Sequence, residues 1–258
     1  MTQTTKDYLV RLLKREARRD GRKLSEWRKV VIEKGIGENA EGSARVKLGD
    51  TEVIVGIKMQ VGEPYPDKPD EGVMITMCEF LPMASSSFEA GPPGEDEIEL
   101  GRVIDRGIRE GKVIDTKKLV IVPGEKVWTV FMDIYVVNDD GNLYDAAALA
   151  AMAALTTAKI PKLDENYEII EGEYEGKLPL NHAVVSLTAY KAGDVIFYDP
   201  THQEESIIDS RLTVGVRDDG KIVSLQKGME GSWTEEEVLK NIEFIQKKAQ
   251  TFIKKVMK

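Results

Sequence analysis

The 258 residues are 41% hydrophobic and 31% charged, with a formal net charge of -9 and a pI of about 5.0. That balance is ample for a large buried core and excludes a protein that coats nucleic acid through bulk charge, so any polyanion contact must come from a local patch. A single cysteine, Cys78, excludes an intrachain disulfide. With only His182 and His202 and no Cys/His cluster, no metal or cofactor is expected. No run reaches the roughly 18 apolar residues of a membrane span, and charges near the start interrupt any signal-like core, so a cytoplasmic protein with no membrane partner is expected.

In chain order, residues 5 to 19 place Tyr8, Leu9, Leu12 and Leu13 among charges and end in Arg15, Arg18 and Arg19 before Gly21. This predicts a short amphipathic helix with a basic last turn, in an N-terminal packing arm over 1–28. Residues 29–33, 42–48 and 51–58 read as strands, the last two joined at Gly49-Asp50, which makes an antiparallel meander. A Pro/Asp/Gly loop from Tyr65 to Gly72 leads to a largely apolar strand from Val73, with Cys78 expected in the core.

After the breaker Gly91-Pro-Pro-Gly94 comes Glu95-Asp-Glu-Ile-Glu-Leu-Gly-Arg-Val-Ile-Asp-Arg-Gly-Ile-Arg-Glu110. At about 100° per residue Arg102, Arg106 and Arg109 fall within an arc of about 60°, with Leu100, Val103, Ile104 and Ile108 opposite. Acidic residues in the first turn mark the start of the helix. A row of guanidinium forks suits successive phosphates of an extended strand. A solvated charged face with Asp105 paired to Arg109 at i,i+4 is the other reading, and the sequence leaves both open.

Strands follow at 119–122 and 126–137, then an Ala-rich helix from Asp145 to Ala158, with Asp145 expected as its cap and the helix expected to lie buried between sheets. Asp164 to Lys177 reads as a solvent hairpin. Strands at 182–190, 194–198, 211–216 and 221–225 precede a helix from about Thr234 to Lys258, whose inner stripe is Val238, Ile242, Ile245, Ala249, Phe252, Ile253 and Val256. The expected fold is α+β, with duplicated βα units over 29–165 and 178–258, mixed or antiparallel sheets and packed helices.

Asp20-Gly-Arg22, Gly42-Ser-Ala44, Leu48-Gly-Asp-Thr-Glu-Val53, the Asp140-Gly141 turn before a helix ending Ile160-Pro161, and Asp199-Pro with Glu204-Glu-Ser206 occur in an order that resembles the RNase PH family along almost the entire chain. Glu97 to Arg106 together with Glu125-Lys-Val-Trp-Thr-Val look most like the larger, non-catalytic ring subunit of the archaeal exosome. The resemblance implies three heterodimers with a catalytic RNase PH-like subunit in a hexameric ring, RNA-binding cap subunits as further partners, and degradation of single-stranded RNA from its 3′ end by phosphorolysis.

Catalytic members carry two aspartates six residues apart, and on this chain those positions become Glu205 and Arg211. An arginine neither accepts a proton at neutral pH nor binds a cation, so no catalytic residue is expected here. Glu205 alone reads as a solvated loop acid. The Gly-Ser/Thr-Arg turn that holds phosphate in catalytic members is Gly141-Asn-Leu-Tyr144 here, and their paired arginines before the long helix are replaced by Glu95, Asp96 and Glu97. In the resemblance, Arg102, Arg106 and Arg109 cross into the partner's cleft and grip RNA by its backbone. Two alternatives remain: a self-sufficient phosphorolytic exoribonuclease using Glu205 or Asp209, and a purely architectural ring subunit.

Overall fold

A computed structural model describes residues 3–258, so the first two residues of the expected arm lie outside the described residues. Alternating β-branched residues build the expected meander: β1 (Val30–Lys34), β2 (Gly42–Leu48) and β3 (Thr51–Gly62) pair antiparallel. β3 pairs antiparallel with β6 (Lys126–Asn138), and the far edge of β6 receives β4 (Val73–Phe80) in parallel and the short β5 (Val120–Val122) antiparallel. Parallel neighbours need a crossover, and the helix α2 (Glu95–Glu110) lies in the one between β4 and β6. The second sheet is wholly antiparallel, in the order β10 (Val195–Tyr198), β9 (Val184–Ala192), β11 (Ser210–Arg217), β12 (Ile222–Gly228). The two units therefore share a sheet-and-helix plan but not a strand order.

Between the sheets lies α3 (Leu143–Thr157), touching β2 and β3 on one side and β9 on the other. Every residue from Asp145 to Leu155 is buried, as a helix walled in all round requires. Its alanines permit close approach. A Cβ at Gly42 would lie 2.7 Å from both the Ala154 carbonyl oxygen and the Ala158 Cα, so only glycine lets β2 meet the end of α3.

The last helix, α5 (Glu235–Met257), is capped by a reciprocal Thr234–Glu237 box and buries Ile245, Ala249, Phe252, Ile253 and Val256, while Val238 and Ile242 pack at the core's edge. Cys78 is buried, which pushes its thiol up to about 12. β7 (Lys159–Leu163) and β8 (Ile169–Lys177) form the solvent hairpin, which begins earlier than expected because Lys159-Ile-Pro161 is extended strand rather than a helix stop.

The first helix, α1 (Gln3–Lys14), ends before the basic residues expected to finish it. Leu13 packs with Tyr190, Phe197 and Ile208, and Arg18 is buried, so the arm is stitched to the second sheet. Among the described residues no helix is long and apolar enough to cross a membrane.

Candidate functional site

Four of the sequence motifs converge on one buried carboxylate. Asp199 is fully buried at a left-handed φ of 50°, just beyond β10. Its Oδ1 accepts from Arg28 Nη2 (2.7 Å) and Asn142 Nδ2 (2.9 Å), and its Oδ2 from Arg22 Nη1 (2.8 Å) and the Arg28 backbone N (2.6 Å). Arg22 is held in turn by Asp20 (2.7 Å), which accounts for Asp-Gly-Arg.

Arg28 continues to Asp140 and to the carbonyl of Gly141 (2.9 Å), which also accepts from the Thr51 hydroxyl (2.6 Å). Gly49 leaves room for this: a Cβ there would fall 2.4 Å from Arg28 Cδ. Arg18 completes the hub by donating to the carbonyl of Tyr198 and to Glu204. Among the described residues Arg22 Nη2 alone of the hub's arginine nitrogens is buried without a partner, and charges paired this closely hold a shape, because losing one partner strands the other.

Beside this hub lies a cleft lined by Phe80, Asp96, Asp139, Tyr144, Glu205 and Arg211, among others. Glu205 is not the solvated acid expected from sequence. It sits on the short helix α4 (His202–Glu205), its Oε1 accepts from the backbone N of Asn142 at 2.8 Å, and burial pushes its carboxyl up to about 7, with Asp139 adding to the rise. Arg211, on β11, donates to Glu99 (2.5 Å) and to the Tyr144 hydroxyl (2.6 Å), and its guanidinium lies 4.5 Å from the centre of the Tyr144 ring. The positions of the two family aspartates thus face one cleft, but Arg211 is committed to α2 and α3. Asp209 takes no part in that cleft; its Oδ2 accepts from Gly193 N at 2.5 Å.

The cleft is predominantly acidic. Asp96, Asp139 and Glu205 line it, and its one arginine is neutralised by Glu99. Such a lining repels an attacking phosphate.

Asp145 does not cap α3. The cap position is Asn142, at φ 59°, whose side chain is used up by Asp199 and by the Tyr190 hydroxyl (2.8 Å). Asp145 is instead a fully buried residue in the first turn, accepting from Trp27 Nε1 at 2.7 Å, and burial pushes it up to about 7. Its Oδ1 has no donor among the described residues.

α2 is the helix its spacing predicted, with Leu100, Val103, Ile104 and Ile108 buried. Glu97 accepts from the backbone N of Phe80 (3.0 Å) and of Gly94, closing the cap and tying α2 to the end of β4. The arginine row divides. Arg102 and Arg106 are exposed, line one groove with Glu95, Glu99 and Asp105 of α2 and with Ser224 and Gln226 of β12, and have no ion-pair partner among the described residues. Arg109 turns the other way, makes two bonds of 3.0 Å to Asp105, and donates to the carbonyl of Met74 (3.1 Å).

One cluster escaped the sequence reading. Asp139, His202 and Glu205 each offer a ligand atom within 4.8 Å of the others, with His202 Nδ1 3.3 Å from Asp139 Oδ2. The residues are 63 and 66 positions from Asp139, so no spacing pattern announces them. The only signal was a histidine beside the Glu204-Glu205 motif.

Models of the 3′ exoribonuclease family match this chain over residues 26–161 (domain 1) and 182–248 (domain 2). The chain belongs to the RNase PH family of 3′ exoribonucleases. It is 51% identical over 248 residues to the exosome complex component Rrp42 of Thermococcus gammatolerans, covering 95% of this chain and 90% of that one. It is 45% identical over 251 residues to the Rrp42 of Methanothermobacter thermautotrophicus, covering 96% and 93%.

Among solved structures, one described as the Archaeoglobus fulgidus exosome with RNA bound to the active site contains a chain that superposes with a TM-score of 0.92 at 46% identity, covering 98% and 97%. An archaeal exosome core gives 0.88 at 43% identity, covering 99% and 97%. Rice Rrp46, at 22% identity and a TM-score of 0.70, shares the fold.

Proposed function

We propose that this chain is a non-catalytic ring subunit of an archaeal exosome, pairing with a catalytic RNase PH-like subunit in a ring of three heterodimers that takes RNA-binding cap subunits. It helps shape the partner's active site and holds single-stranded RNA by its backbone during 3′-to-5′ phosphorolysis. The observation that carries the non-catalytic half is the acidic cleft: Arg211 stands where a carboxylate is needed and is bonded to Glu99 and Tyr144, while Asp96, Asp139 and Glu205 stand where phosphate would approach. The full-length similarity to exosome components supports the assembly.

The RNA-binding half rests on Arg102 and Arg106, two exposed and unpaired guanidiniums one helical turn apart beside a polar groove. Arg109 is the weaker member, because its fork is occupied by Asp105. A phosphate would have to displace that carboxylate. Its brace favours an architectural role at this one position.

The test is phosphate-dependent release of nucleoside diphosphates from single-stranded RNA. The chain alone releases none, and the mixture with its catalytic homologue releases them. Arg211→Asp alone does not start the reaction, because the acidic lining remains. Phosphate-dependent turnover by the isolated chain would overturn the proposal, and its loss in Glu205→Gln would assign the chemistry to that carboxyl.

A further inference from the structure

We propose that Asp139, His202 and Glu205 form a site for a divalent transition-metal ion at the edge of the cleft, selecting Zn2+ over Mn2+ and not retaining Mg2+. The donor set is mixed, one imidazole and two carboxylates, drawn from the turn after β6 and from both ends of α4. All three ligand atoms lie within 4.8 Å of one another. Ligands about 2.0–2.2 Å from a tetrahedral zinc ion stand about 3.4 Å apart, so the cluster reaches metal geometry when its widest separation closes by up to about 1.4 Å. His202 supplies that adjustment, since its side chain is 55% exposed and free to turn.

The hydrogen bonds that hold such ligands in place are already made. Asp139 Oδ1 accepts from Gly141 N (2.9 Å), leaving Oδ2 toward His202; Glu205 Oε1 accepts from Asn142 N (2.8 Å). Glu205 Oε2 has no hydrogen-bond donor among the described residues and opens to the cleft. A carboxylate oxygen without a donor, beside a second carboxylate and an imidazole, is a place where a cation removes a repulsion.

The cations already near Glu205 do not fill that role. Arg28 is bonded to Asp199 and Asp140, and Arg211 to Glu99 and Tyr144. The cluster does not use position 211. The ion would link α4 to the 139–142 turn and so clamp the wall of the cleft.

An imidazole in the set dictates the preference. Nitrogen donors favour zinc over manganese along the usual affinity order of divalent ions, whereas a loose acidic surface takes Mg2+, Ca2+ and Mn2+ alike.

The experiment is calorimetric titration of the chelator-stripped, full-length chain with ZnCl2, MnCl2 and MgCl2, together with the visible spectrum of the Co2+ form. One Zn2+ per chain is expected, binding more tightly than about 0.1 mM, with Mn2+ weaker and Mg2+ undetected. His202→Ala should weaken Zn2+ at least about tenfold, since even an outer partner of a metal ligand is worth that much, and should abolish the Co2+ band. Glu205→Gln, which keeps its bond to Asn142, should do the same. His182→Ala, which removes the histidine paired with Asp218 elsewhere, should change nothing.

His202 is exposed, so that variant folds, and circular dichroism checks it. No Zn2+ binding, or binding that survives His202→Ala or Glu205→Gln, or equal affinity for Mg2+ and Zn2+, overturns the site and leaves a His202–Asp139 ion pair. Because the readout is binding by the chain alone, it is independent of the ring and of RNA.

Discussion

The hub around Asp199 and the cleft around Arg211 are adjacent, share Asn142 and the 139–142 turn, and have had opposite fates. In the hub every motif residue has a charged or backbone partner, and the glycines at 49 and 141 have backbone or side-chain atoms pressed where a Cβ would be. In the cleft Arg211 serves as a strut between α2 and α3, and Asp96, Asp139 and Glu205 line the space beside it. Family resemblance in this chain is therefore carried by residues that hold the backbone. A motif match locates the fold well and the activity poorly.

Breaking the hub gives the largest effect. Arg28→Ala leaves Asp199 and Asp140 without their main partner in a buried setting, and should cost about 3–5 kcal/mol or prevent folding altogether. Guanidinium denaturation at neutral pH measures it. A loss below about 1 kcal/mol would mean that water replaces the guanidinium and that the hub is not structural.

Asp145, between the two regions, sharpens the comparison through pH. Its folded value of about 7 lies above the ordinary carboxylate value, so below about pH 4 it is protonated in both states and costs nothing. As pH rises from about 4 to 7 the unfolded chain loses this proton while the folded chain keeps it, so its contribution to stability falls through that window and is constant above it. Asp145→Asn should remove its share of that slope, leaving that of Glu205, and be more stable than the parent at pH 8 by an amount on the order of 4 kcal/mol. An unchanged slope between pH 4 and 7 would contradict burial of the carboxyl as the cause.

The smallest effect belongs to the cleft. Arg211→Leu removes one part-buried ion pair, a bond to the Tyr144 hydroxyl and a cation–π contact, leaving Glu99 one-third exposed to water, and should cost about 1–2 kcal/mol. A loss as large as that of Arg28→Ala would erase the distinction between scaffold and strut.

The sequence was most informative where structure is local. The 3.6-residue rhythm of α2 and α5, the helix start near Thr234 and the alternation of the meander follow from neighbours a few residues apart and stand as expected, as does the buried Ala-rich helix apart from its cap. It was least informative where a side chain's state depends on distant partners. Glu205 is buried because Asn142 lies over it, and Asp145 is walled in by Trp27, residues far along the chain. Arg109 differs from Arg102 and Arg106 because the Met74 carbonyl on β4 accepts from it, which no helical wheel shows.

The central claim is that Arg102 and Arg106 hold RNA for a partner's chemistry. It is tested most directly in the ring assembled with the catalytic homologue, by measuring single-stranded RNA affinity against salt for Arg102→Ala with Arg106→Ala and, separately, for Arg109→Ala. The double variant should assemble normally, bind more weakly without change of base preference, and lose about 0.7 of log–log salt slope per phosphate contact, while Arg109→Ala changes the slope less. Unchanged affinity and slope in the assembled double variant would contradict the claim and leave these arginines as surface charge.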